Sequence, residues 1–209
     1  MYQQKQEIMS TLKLVAEDQI QRVNQLVNAV REFQELPMET LMQKPDSKSW
    51  CILEVLEHMS IAYENYRPRI EKLLRELPDA PTQQTTFKAH TFSKLFIHMI
   101  KPKGTKRKWK LKTMKKFEPG YYHPTLKQPE ITKLFERFYD NKAHLKQAII
   151  DSRSKKVDHR RIASAIGPLV KFYLPEAYEF IICHAERHVV QIREIQEAVT
   201  DKKAPTLFA

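Results

Sequence analysis

PEAYEFIICHAERHVVQIREI, residues 175–195, reads as one long amphipathic helix, and its reading decides the fold. With Ile181 set at the zero of a helical wheel, Leu174, Ile192 and Ile195 fall close to it, as an apolar stripe of helical period requires. His184 and His188 lie four residues apart, so at about 100° per residue their side chains return to within about 40° of one another, one turn along. His188 falls inside the apolar arc and His184 at its edge, with Gln191 near the same side. All three lose hydration on folding, and an unpaired buried polar group costs roughly 1–3 kcal/mol. Two forms of compensation stay open at this point. Core histidines are often satisfied by a backbone carbonyl or a carboxylate. A pair spaced in this way can also share a metal ion through neutral imidazoles.

Working outward, three more stretches carry a helical stripe. From about Lys5 to Glu35 the apolar positions are Ile8, Leu12, Val15, Val23, Leu26, Val30 and Phe33. Pro37 closes that helix, and MQKPDSKSW reads as a turn into the next. The second helix is expected from about Trp50 to Leu77, kinked at Pro68, where the ring removes a backbone donor. A third runs from about Pro129 to Ser152 on Ile131, Leu134, Phe135, Phe138, Leu145, Ala148 and Ile149. The last spans about Leu174 to Val199, after a connector at 153–173 broken by Gly167-Pro168. Four such helices in one chain are most simply buried as an all-α four-helix bundle, a single domain over 1–209. With only 3 glycines, a turn-rich sandwich or barrel is disfavoured.

Residues 78–127, between helices 2 and 3, are too long for an ordinary connection and are expected to pack on the bundle as an insertion, with a short helix from Phe92 to Ile100. Much of the net charge of +11 is there: KPKGTKRKWKLKTMKK, residues 101–116, holds nine basic residues and no acid. A solvated loop explains such a run. An anion site at Lys106, Arg107, Lys108 and Lys110 is one functional alternative, and a non-enzymatic nucleic-acid-binding protein using 101–116, with Trp109 among the lysines for stacking, is another. Cys51 and Cys183 are too far apart in sequence to form a metal motif and read as buried thiols in a reducing compartment. The polar first residues and the absence of a run of ~18–20 apolar residues lead us to expect a cytoplasmic, soluble chain with no membrane partner.

Two imidazoles seldom hold a metal firmly. The best third candidate is His58, on the second helix beside Val55 and Ala62, at the flank of the stripe. With these residues in place the chain resembles the DinB/YfiT-like superfamily. The matching pieces are Trp50, Glu54 and His58, then His184, Glu186, Arg187, His188 and Gln191. Cys51 stands where a serine often follows the tryptophan, and capping by Ser47 or Ser49 is expected to substitute. The resemblance implies one divalent metal held by His58, His184 and His188. Glu54, one helical turn before His58, and Gln191, three residues past His188, are the candidate outer partners of these ligands. Imidazole ligands suit zinc, nickel, iron or copper, and the sequence does not choose among them. Three neutral ligands leave coordination positions open, the pattern of a catalytic site. Hydrolysis by an activated water and transfer by an activated thiol both follow. The resemblance favours a thiol S-transferase of the bacillithiol kind, taking small electrophiles and a low-molecular-weight thiol cofactor. A small-molecule substrate is therefore the expected partner, and a homodimer is left open.

Overall fold

Apolar stripes that recur every three or four residues bury one face of a helix, and four of the helices of this chain do so against one another. The structure is a computed structural model that describes residues 12–107, 112–120 and 126–201, and it is mostly helical. Helix α1 spans Ala16–Gln34, α2 Met38–Met42, α3 Ile52–Glu64, α4 Arg67–Glu76, α5 Thr91–Ile100, α6 Gln128–Ser152 and α7 Leu174–Asp201. Both α1 and α3 pack against α6 and α7. Val30, Leu53, Val55, Phe138, Leu145 and Ile182 are fully buried between them. The Tyr178 hydroxyl donates to the Ala148 carbonyl at 3.1 Å, pinning α7 to α6 inside the core. Among the described residues no helix is long and apolar enough to cross a membrane.

Two expectations about helix bounds are corrected. The first helix begins only at Ala16, because Lys13–Val15 form strand β1, antiparallel to β2, Thr86–Lys88; residues 1–11 lie outside the described residues. Pairing with β2 satisfies the backbone groups there, and Leu14 is buried in extended rather than helical form. The second helix does not run on to Leu77 through a kink. It ends at Glu64, where the Asn65 side-chain amide donates back to the Ile61 carbonyl at 2.8 Å. Pro68 then falls in the first turn of a separate helix, α4, where its missing N–H has no partner to lose.

The long connections also hold more structure than their sequence suggests. In the 78–127 stretch, α5 lies against α7, and the Glu176 carboxylate accepts the His90 backbone N–H at 2.7 Å. A 3-10 turn at Lys115–Phe117 meets α3. The 153–173 connector forms a hairpin of β3, Ile162–Ser164, and β4, Gly167–Phe172. Gly167 opens β4 directly after the Ala165–Ile166 turn. The three-residue strands β1, β2 and β3 carry no readable alternation, and this explains why they escape a periodicity argument.

Candidate metal centre

His58 comes from α3, and His184 and His188 from α7, and the pairing of these two helices brings the three rings together. The Nε2 atoms of His58 and His184 are 3.3 Å apart, and those of His184 and His188 3.2 Å apart. One ligand atom from each residue lies within 4.8 Å of the others, and such a cluster could hold a metal ion. His58 and His188 are buried, and His184 is half-buried.

The hydrogen bonds of the outer ring nitrogens set the chemistry. His58 Nδ1 is 2.6 Å from the carbonyl oxygen of Phe117, and His188 Nδ1 is 2.9 Å from Gln191 Oε1. Both oxygens only accept, so in each ring the proton of the neutral imidazole sits on Nδ1 and the Nε2 lone pair points inward. Both lone pairs face the Nε2 of His184. A single N–H there could satisfy one of them well, leaving the other acceptor buried without a proton. A cation removes the shortage. The spacing fits as well: metal–nitrogen bonds of ~2.0–2.1 Å in a tetrahedron put ligand nitrogens roughly 3.3–3.4 Å apart.

Electrostatics point the same way. Burial, then the charges that His58, Lys142 and Arg187 would place nearby, hold His184 well below the ordinary histidine range. Burial followed by repulsion from His184 and His58 does the same to His188, against a smaller opposing effect from Gln191. His58 is lowered by burial, partly offset by the Phe117 carbonyl. All three are therefore neutral at neutral pH and ready to ligate. The pH dependence follows by linkage. These folded-state values lie below the unfolded ~6.5, so the unfolded chain binds more protons once the pH falls under that value. Stability is present above ~6.5 and lost below it, by up to about 1.4 kcal/mol per pH unit for each histidine. Chelator-treated protein is expected to lose urea resistance steadily between pH 7 and 5.5. An equal midpoint at both pH values would contradict the burial of neutral rings.

Of the outer partners read from the sequence, Gln191 stands against His188 and Glu54 does not reach His58. Glu54 accepts the Cys51 backbone N–H at 2.8 Å and the Lys44 ammonium at 2.8 Å. It therefore closes the first turn of α3, where an orphan backbone donor needs an acceptor. Ser49 does not cap this helix; its hydroxyl donates to Asp46 at 2.8 Å. Both Cys51 and Cys183 are buried and free. Replacing Gln191 by leucine removes the acceptor that fixes the His188 proton. The loss expected for such an outer partner is about ten- to hundredfold in metal affinity, read by chelator competition with the fold retained.

A cavity of about 430 Å³ reaches this centre from the side of His188 and Gln191, with Trp50, Lys48, Arg107 and Arg187 among its walls. Arg107, expected in an anion site, is bound to Glu194 at 3.0 Å through Nε, so its charge is already paired. Lys106 is exposed on a turn, while Lys108, Trp109 and Lys110 lie outside the described residues. Phe117 gave no signal in the sequence, since its contribution is a backbone carbonyl 59 residues from the ring it orients.

Helices that converge three imidazoles between α3 and α7 define a class of helical protein built around a histidine cluster. The family model of the DinB superfamily matches residues 19–192, and the chain belongs to that superfamily. No curated protein and no solved structure matches it.

Proposed function

We propose that the chain is a divalent-metal-dependent enzyme in which His58, His184 and His188 bind one ion through Nε2, and that it transfers a low-molecular-weight thiol of the bacillithiol kind to small electrophiles. One observation carries this reading: two rings have their protons held outward by Phe117 and Gln191, so their lone pairs meet at one point. Membership of a superfamily whose members typically bind metals supports it. We read α1, α3, α6 and α7 as the four helices of the bundle and 78–127 as an insertion upon it. A divalent ion held by three neutral ligands acts as a Lewis acid with open positions and lowers the pKa of a thiol or water that it coordinates.

The chain's own residues supply the rest. Phe117 and Gln191 hold two rings in the ligating tautomer, which spares that ordering when the ion arrives. Trp50 packs its ring 5.2 Å from that of His58 and shields the buried face. Lys48 and Arg187 line the 430 Å³ cavity with Asp46 and the Arg107–Glu194 pair, which leaves one net positive charge toward an anionic thiol, and its size suits a small molecule. The test uses protein loaded with zinc, nickel or iron, bacillithiol and a panel of aryl halides and epoxides. The sulfur–carbon bond should form, with halide loss or ring opening, only with metal and thiol together, and not in His184→Ala. Equal turnover of ester substrates without thiol would overturn the transferase reading in favour of a hydrolase.

A further inference from the structure

His184 lines a second, smaller pocket of about 60 Å³. Met59, Phe117, Phe180 and Ile181 give it an apolar wall. Tyr63 and Tyr66 also line it, but their hydroxyls are committed to His144 and Ser164, each at 2.6 Å. The remaining polar heads are His184, which belongs to the histidine cluster, and Lys142. The lysine is buried at 2% exposure in the middle of α6. Its ammonium lies 4.9 Å from the Phe138 ring and 5.4 Å from the Tyr63 ring. Among the described residues it has no carboxylate or hydrogen-bond partner.

A buried ammonium without a counter-charge is costly, because the rings replace only part of its lost hydration. Burial lowers Lys142 to about 8. The same α6 position would be apolar if packing alone decided it, since Phe138 and Leu145 flank it on the buried face. We propose that this pocket binds a short-chain carboxylate, with the Lys142 ammonium as its counter-ion and the aromatic wall covering the hydrocarbon. A single ammonium matches the single charge of a carboxylate, and charge-assisted hydrogen bonds of this type are the strong ones. At 60 Å³ the pocket limits the carboxylate to a short chain. Ala165 and Ile166 also line the pocket; Ile166 is exposed, and Lys116 holds the Ala165 carbonyl.

The test is calorimetric titration of the full chain, as purified and after chelator treatment, with acetate, propionate, butyrate and propionamide. Propionate should bind saturably in both preparations, about tenfold to a hundredfold tighter than propionamide, the range of one charged hydrogen bond. Lys142→Met keeps the length and the apolar stem, and should bring propionate down to the level of propionamide. Ala62→Leu, which fills the pocket and leaves the charge, should weaken propionate as well and serves if the first variant does not fold. Three results would overturn the proposal: no saturable binding by the wild type, propionate affinity unchanged in either variant, or binding lost on chelation alone, which would make the metal the anchor.

Discussion

Changing His184 to alanine is expected to reduce affinity for a divalent metal by well over the ten- to hundredfold that the loss of an outer partner costs. His184 is the middle member of the cluster, its Nε2 standing 3.3 and 3.2 Å from the other two. Without it, the donors of His58 and His188 remain, and two imidazoles leave most of the ion's coordination to water. His58→Ala should be nearly as damaging, because it removes the only ligand from α3. The effect is read by competition against a chelator of known affinity, alongside circular dichroism to show that the helices persist. Retention of wild-type affinity by either variant would mean that the ion, if any, sits elsewhere.

The second large effect concerns stability. Arg22→Met is expected to destabilise the fold by about 3 kcal/mol, near the low end for a broken buried pair because this one is partly solvated. The Arg22 guanidinium donates to Glu179 at 2.6 Å and to the two oxygens of Glu186 at 2.7 and 2.8 Å. Glu179 is 4% exposed, and with Arg22 gone it keeps only the Gln19 amide at 3.2 Å and the weak Cys183 thiol as partners. A carboxylate so placed must either remain charged and unpaired or take up a proton. The double variant Arg22→Met/Glu179→Leu should recover most of the loss, since apolar replacement of both partners removes the stranded charge. Urea unfolding measures both; a single variant within ~0.5 kcal/mol of the parent would contradict the account. The network bears on the site because Glu179, Cys183 and Glu186 share α7 with His184, and Arg22 ties that part of α7 to α1.

The parts of this architecture visible in the sequence are those with a long apolar period. Helices α6 and α7 begin and end within a residue or two of their expected bounds, since each has an unbroken stripe and a proline near its start. His184 and His188 were placed by the same wheel, and His58 by its flank position together with the family resemblance. What escaped is equally specific. Strands β1 and β2 are paired across about seventy residues, and nothing local marks Lys13–Val15 as extended. Glu54 stands one helical turn before His58, yet its carboxylate accepts the orphan N–H of Cys51 at 2.8 Å instead. Lys142 lay in plain view between Phe138 and Leu145 on the α6 stripe, yet a lysine there is easily read as a break in the pattern rather than as a buried charge.

The most direct test of the central claim is elemental analysis of protein purified without a polyhistidine tag, beside the same protein carrying His58→Ala, His184→Ala and His188→Ala together. The account predicts about one equivalent of a single divalent metal per parent chain and almost none in the triple variant. Equal metal in the two, or a parent that stays metal-free after incubation with zinc, nickel and iron, would contradict it.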